Sequence, residues 1–324
     1  MIRSLGAKCD VLLENYKVGD LKRYGLDYAS LKLVNPRLIY CSITGFGQTG
    51  PYSPRPGYDS IFQAMGGLMS ITGNGDDMPG GGPMKTGPSL ADILCGQYAA
   101  SAIVAALYHR DAGGEQGGEG QYIDLSLLDS MIAATSHYAS QYLVSGEVPV
   151  RRGTEGNGGM PSRMFRCADR DIMIVAGNNE QYARLCQVLK HPELATDPRF
   201  SEIALRVRNR RALGDVFEPL IAQWQSDALL VALDAAGVPA GPINNLEQVF
   251  ADPHVQARGM CVEVAHPLSN DAVRMVANPV KMSGTPIESC TPPPMLGEHT
   301  EGVLRDLLGM SGAEIDALRA RKVI

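Results

Sequence analysis

The sequence predicts an α/β fold: short strands alternate with short helices and lie side by side as a parallel sheet, and a smaller α+β module is inserted in the second half. Three observations carry this. Val11, Leu12 and Leu13 form a compact apolar run. Residues 38–43 form a second run after two short helical pieces. Tyr122-Ile123-Asp124-Leu125 then passes almost without a turn into an apolar-periodic helix that starts near Ser126.

In chain order, residues 1–8 read as the end of a helix and 9–14 as a strand. Helical pieces at 21–24 and 28–34 lead to the strand at 38–43. Residues 44–57 (TGFGQTGPYSPRPG) are a Gly/Pro-rich loop, 58–69 a helix and 69–88 a second glycine-rich loop. Ser89 is expected to cap a long helix through His109, whose end is marked by His109, Arg110 and the Gly113-Gly114 pair. The helix after Leu125 carries Asp129 and ends near Ser145-Gly146. Residues 149–162 are polar and glycine-rich, a linker or binding loop. A strand at 171–176 and helices at 178–190, 204–225 and 227–236 build the second module. Val238-Pro239-Ala240-Gly241-Pro242 begins a return segment, 260–265 and 273–280 form a hairpin, and helices at 300–308 and 312–322 close the chain. The last is opened by the capping box of Ser311 and Glu314. The domains expected are 1–147 (large), 148–237 (small) and 238–324 (return segment, linker and closing helices of the large domain).

Length and composition bound the function. A chain of 324 residues suggests about two domains, and 44% hydrophobic with 20% charged residues is an ordinary globular balance. The longest mostly apolar run, 99–108, is too short to span a bilayer, and the opening MIRSLGAKCDVLLENY has neither a signal-peptide core nor a cleavage site. A net charge of −6, with no basic cluster longer than Arg319-Ala320-Arg321-Lys322, argues against nucleic acid and membrane partners. The seven cysteines are widely spaced and contain no C-x-x-C, which fits reduced thiols and a cytoplasmic setting. The six histidines show no metal-ligand pairing, so no metal site is expected. Gly80-Gly81-Gly82-Pro83-Met84-Lys85-Thr86 imitates a phosphate-binding loop, but Met84 replaces the glycine before the lysine and Pro83 removes a donor N–H. No G-x-S-x-G elbow is present.

The chemistry-bearing candidate is Asp129. It falls in the first turn of its helix, where unpaired N–H groups and the positive dipole end keep a carboxylate ionised, as covalent catalysis by aspartate requires. Capping alone also places aspartate there.

Taken together, these segments resemble the class III CoA-transferases, the CaiB/BaiF-like family. The resemblance is carried by Val11-Leu12-Leu13-Glu14-Asn15-Tyr16, Asn35-Pro36-Arg37-Leu38-Ile39, Gly45-Phe46-Gly47-Gln48-Thr49-Gly50-Pro51-Tyr52 and Pro56-Gly57-Tyr58-Asp59. It continues through the Gly120–Asp129 stretch, Gly158-Gly159-Met160-Pro161, Gly237-Val238-Pro239-Ala240-Gly241-Pro242 and Leu296-Gly297-Glu298-His299-Thr300. It implies a Rossmann-like CoA-binding large domain and an acyl-CoA:carboxylate CoA-transferase. Coenzyme A is then substrate and product, no cofactor is permanently bound, and the second partner is a small carboxylic acid.

By the same resemblance Asp129 is the nucleophile, passing through an aspartyl–acyl anhydride and an aspartyl-CoA thioester. Gly158 and Gly159, in the loop Gly156-Asn157-Gly158-Gly159, supply oxyanion donors. Asn15, Tyr16, Arg23, Tyr24 and Tyr58 line the CoA site, and Asp59 supports the chemistry. The family's racemase branch carries a histidine base at the position of Tyr58. A phenol with a pKa near ~10 is a poor base at neutral pH, so the transferase branch is favoured. Asn157 and Arg163 suit a dicarboxylate substrate. The family has further βα units ahead of the segment matching Cys9, so the resemblance also implies an N-terminally shortened sheet with an open edge. Family members are interlocked homodimers. A 2-methylacyl-CoA racemase or epimerase, and a shortened non-catalytic CoA-binding chain, remain open alternatives.

Overall fold

The computed structural model describes residues 1–112, 118–156, 158–287 and 290–324. The helix-stop pair Gly113-Gly114 lies outside them. The chain forms two compact units, Met1–Gly153 with Gly297–Ile324, and Thr154–Leu296.

The first unit is built on a parallel sheet of β1 (Val11–Glu14), β2 (Ile39–Thr44) and β3 (Tyr122–Ser126), in the order β1-β2-β3. The α/β class read from the apolar runs is therefore present. β2 is central and buried on both faces, as a near-continuous apolar strand in a parallel sheet must be. On one face Tyr40 packs against Tyr28 and Tyr122, with ring centroids 6.0 and 5.6 Å away. On the other, Ile43 joins a core of Phe62, Cys95, Leu127 and Met131.

Around the sheet lie α1 (Ile2–Gly6), a 3-10 turn Lys22–Tyr24, α2 (Tyr28–Lys32), α3 (Asp59–Met65), α4 (Leu68–Ile71), α5 (Leu90–Ala112), α6 (Leu127–Ala134) and α7 (His137–Ser145). α5, with 23 residues, is long and apolar enough to cross a membrane, which the ten-residue run 99–108 does not convey. In this fold it packs on β2, β3, α3 and α6.

Three helical expectations are corrected. The helix over 58–69 is two helices, because an added Cβ on Gly66 would stand 2.6 Å from Met131 Cγ and Gly67 turns at φ +90°. The helix through Ser145 is also two, broken where Ser136 takes φ +47°. And α5 is not capped by Ser89: its Ala91 N–H donates to Asp59 Oδ1 at 2.8 Å, from 32 residues away. The closing elements α14 (Thr300–Gly302), a π-helical turn Val303–Leu307 and α15 (Gly312–Ala320) follow the expected pattern, including the Ser311–Glu314 capping box.

The second unit holds an antiparallel sheet of β4 (Ser162–Arg166), β5 (Asp171–Val175) and β6 (Ala240–Pro242), packed by α8 (Asn179–Val188), α9 (Ile203–Arg208), α10 (Arg210–Ile221) and α11 (Ser226–Ala235). The expected helix 204–225 is α9 and α10, divided at Asn209. β4 was absent from the sequence reading because Phe165 is its one buried apolar residue. α12 (Leu246–Ala251) and α13 (Pro253–Ala257) were likewise missed, although Asn245 and Gln248 form a capping box ahead of α12. The hairpin is present as β7 (Cys261–Val264) and β8 (Val273–Val276).

Phe62, fully buried, is gripped by two glycines: an added Cβ would sit 2.2 Å from its Cζ at Gly57 and 2.7 Å at Gly45. Gly57→Ala is expected to destabilise the protein by about 1–3 kcal/mol through overpacking, read as a lower urea midpoint at unchanged slope.

Candidate functional site

The first unit contains a cavity of about 480 Å³ beyond the carboxyl ends of β1 and β2, where open α/β sheets place their ligands. Asn15 to Val18 form one wall, Ile43 to Gly45 and Leu127 the floor, Ser53 to Asp59 a second wall, and Asp92, Cys95 and Gly96 of α5 a third.

Four of the expected site residues meet here: Asn15, Tyr16, Tyr58 and Asp59. Asn15 follows β1 directly, and its Nδ2 donates to Ile43 O at 2.7 Å, tying the wall to β2. The Tyr16 N–H donates to Glu14 Oε2 at 2.7 Å, leaving the ring 60% exposed. Tyr58 precedes α3 in extended conformation and stands at the rim, 83% exposed. Asp59 is buried, and both carboxylate oxygens are engaged: Oδ1 by the Ala91 N–H and Oδ2 by Gln63 Nε2 at 2.7 Å. Gln63 Oε1 in turn accepts from the Thr86 N–H at 2.9 Å, so one network joins α3 to the loop entering α5.

Asp129 does not line this cavity. It occupies the first turn of α6, as the sequence reading placed it, and its N–H donates to the Ser126 cap at 3.1 Å. The Leu128 N–H beside it donates to Gly45 O at 3.1 Å. Arg23 and Tyr24 are also outside the wall; on their 3-10 turn the Arg23 guanidinium stacks over the Tyr24 ring at 4.8 Å.

Four charged or thiol residues of the wall escaped the sequence reading. Asp92 sits in the first turn of α5 and opens to the cavity. Loss of hydration among the walls pushes its carboxyl above the usual aspartate range, and the charge of Asp59 adds to the rise. One turn on, Cys95 is buried; burial pushes its thiol up, the Ser130 hydroxyl opposes, and Asp92 and Asp129 add to the rise. A thiol raised in this way is inert. Lys17 and Arg55 are the cations of the wall. Arg55 stacks over Tyr52 at 3.8 Å, and neither makes an ion pair among the described residues. The signal for Asp92 was available: an aspartate in the first turn of a helix is the pattern that singled out Asp129.

In the second unit Gly158 is open, with nothing within 4 Å of an added Cβ, whereas Gly159 lies against Gly177, whose carbonyl oxygen such a Cβ would meet at 2.1 Å. The N–H groups of Gly158 and Gly159 donate no backbone hydrogen bond among the described residues. Asn157 lies outside those residues. Arg163, expected to suit a dicarboxylate, is in β4 and is held by Glu218 at 2.9 Å and Glu155 at 3.5 Å. Among the described residues no group of three or more His, Cys, Asp or Glu could hold a metal.

Comparison with known proteins follows this geometry. The model of CoA-transferase family III matches residues 1–300. A succinate–glutarate CoA-transferase of Agrobacterium fabrum is 43% identical over 307 residues, covering 95% of this chain and 74% of the relative. The human succinyl-CoA:glutarate CoA-transferase is 37% identical over 326 residues, covering 100% of this chain and 72% of the relative. The crystal structure of a CaiB/BaiF family protein from Brucella suis superposes with a TM-score of 0.80 at 42% identity, covering 94% of this chain and 77% of that one.

The raised carboxyl of Asp92 has a consequence for stability. Folded Asp92 holds its proton more tightly than an unfolded aspartate, so it favours folding at acid pH, and that contribution is lost as pH climbs from the ordinary aspartate range through the raised value. Asp92→Asn removes the loss. As pH climbs from the ordinary aspartate range through the raised value, the variant should gain stability relative to the parent, read as the difference of urea midpoints at each pH.

Proposed function

The chain belongs to CoA-transferase family III, and from that premise we propose that it exchanges CoA between small dicarboxylic acids at the cavity of the first unit, with Asp92 as nucleophile. Acyl-CoA:carboxylate CoA transfer is the activity of the family's relatives; succinate- and glutarate-sized acids are the substrates their names suggest. One observation carries the choice of residue: Asp92 is a carboxylate in a cavity wall, partly stripped of water, at the positive end of a 23-residue helix.

The chemistry follows from that placement. A carboxyl raised by loss of hydration is, once ionised, a more basic nucleophile. Its oxygen attacks the thioester carbonyl carbon, the C–S bond breaks, and CoA leaves as a thiolate, giving a mixed anhydride with Asp92. The thiolate then attacks the aspartyl carbonyl, releasing the donor acid and leaving an aspartyl-CoA thioester. The acceptor carboxylate reverses both steps and restores Asp92.

Each addition builds an oxyanion, which backbone N–H donors stabilise. Lys17 and Arg55, which pair with no carboxylate among the described residues, suit the anionic parts of the bound CoA and acid. Tyr16 and Tyr58 offer ring faces at the rim, and Arg23 with Tyr24 is kept as an outer contact for a CoA phosphate. An interlocked homodimer is part of the same reading.

A second reading keeps Asp129 as nucleophile, favoured by its own helix N-terminus and its capped first turn. The phenol at Tyr58 speaks against a racemase.

One experiment separates these readings. Purified protein is incubated with succinyl-CoA and glutarate, and exchange is followed with hydroxylamine trapping and peptide mapping. Asp92→Ala should lower kcat by at least about 10³-fold, with the hydroxamate in the parent on Asp92. Asp129→Ala should retain most of the activity. The opposite pattern transfers the role to Asp129, and no exchange in the parent leaves the non-catalytic alternative.

A further inference from the structure

The first unit's cavity carries one cation whose direction the fold sets before any ligand arrives. Arg55 stands between Pro54 and Pro56, and a proline restricts the backbone of the residue before it as well as its own. The Arg55 N–H donates to Tyr52 O at 2.8 Å, and the guanidinium stacks over the Tyr52 ring, 3.8 Å from its centroid. The Tyr52 ring packs edge-on against Phe46 at 5.6 Å, and Phe46 packs against the fully buried Phe62 at 5.3 Å. A line of rings therefore runs from the core to the cavity wall and ends beneath the guanidinium. Stacking holds an arginine by its face and leaves the N–H donors of its edge free.

That edge meets no carboxylate of the protein: Arg55 makes no ion pair among the described residues, although Asp59 and Asp92 share its cavity. Asp59 is engaged by the Ala91 N–H and Gln63. Lys17, the other cation of the wall, also borders a neighbouring cavity of about 360 Å³ together with Lys22. An ammonium is a point charge on a flexible stem, whereas a planar guanidinium fork matches a carboxylate with two parallel N–H···O bonds. The phosphates of CoA would suit the same fork, but they lie at the far end of the pantetheine arm from the sulfur. A cation that shares a cavity with the reacting carbonyl faces the acid instead.

We infer that Arg55 determines which acid the site selects: its guanidinium holds the distal carboxylate of a dicarboxylic acid, the one that does not react, while the other carboxylate takes up CoA. The inference deepens the proposed function and rests on its placing of dicarboxylate exchange in this cavity; it does not depend on which aspartate attacks. A monocarboxylic acid of equal length leaves the fork unpaired, so the acid charged at both ends is favoured.

The test compares glutarate with valerate, which has the same chain length and one carboxylate, as acceptors from succinyl-CoA. Arg55→Gln should lower kcat/KM for glutarate about 10²-fold and for valerate less than about 3-fold. Arg55→Lys keeps the charge but not the fork, and should cost glutarate about 10-fold. Tyr52→Leu removes the ring that orients the fork and should also cost glutarate about 10-fold. In all three variants the Kd for free CoA, read by calorimetry, should stay within about 3-fold of the parent. Where the parent takes no valerate, the glutarate loss read against the unchanged CoA affinity decides.

Equal losses for both acids, or CoA binding weakened as far as glutarate turnover, overturn the inference. An unchanged preference for glutarate in a folded Arg55→Gln, checked by its urea midpoint, overturns it too. A parent without any exchange sinks the proposed transfer instead. Calorimetric binding of glutarate to that parent, weakened about 10²-fold in Arg55→Gln, would leave the inference standing, and absence of such binding would overturn both.

Discussion

The carboxylate of Asp59 holds the first unit's site together. A helix begins with N–H groups that its own turns cannot satisfy, and α5 has no local side chain serving the Ala91 N–H. Asp59 reaches across from α3 to accept that bond and takes a second from Gln63, whose oxygen secures the loop entering α5. A hydrogen bond to a buried charge is worth roughly 1.5–3 kcal/mol, and leaving that charge unpaired costs more. The bond therefore fixes the first turn of α5 relative to α3. That turn carries Asp92, and the residues just before α3 form the facing wall. Loss of hydration raises the neighbouring Asp92 carboxyl and the charge of Asp59 adds to the rise, so the same residue helps set both the cavity wall and the electrostatics of Asp92.

The second unit solves a mirror-image problem. Asp59 is a buried anion satisfied by a backbone N–H and an amide; Arg206 is a buried cation satisfied by backbone carbonyls and an amide oxygen. Neither has a counter-ion among the described residues. Each spends its charge on main-chain dipoles, which lie at fixed points of the backbone, rather than on a mobile side chain. Charge used in this way contributes geometry more than net stability.

Much of the fold was legible in the residues. The run Val11-Leu12-Leu13, the strand before Thr44 and the strand-to-helix passage at Ser126 have local signatures that do not depend on partners: apolar continuity, a serine cap, an amphipathic stripe. The Ser311–Glu314 box is as local. What failed shares a cause. The breaks at Gly66-Gly67 and Ser136 exist because Met131 occupies the space above Gly66 and the chain turns back at Ser136. β4 exists because β5 offers it a ladder; its own side chains carry little strand signal. Ser89 looked like a cap, but the bond came from 32 residues away.

The sequence by itself determined the α/β class, the order of strands and helices, and membership of CoA-transferase family III, because periodicity, caps and motif order are properties of neighbouring residues. It also offered an aspartate at a helix start as the candidate reactive group. Two aspartates, Asp92 and Asp129, satisfy that description equally, since the local environment of a first turn is the same in α5 and α6. Only the tertiary structure showed that Asp92 lines a cavity, because its walls come from β1, β2, α3 and α5, which no short stretch of sequence contains.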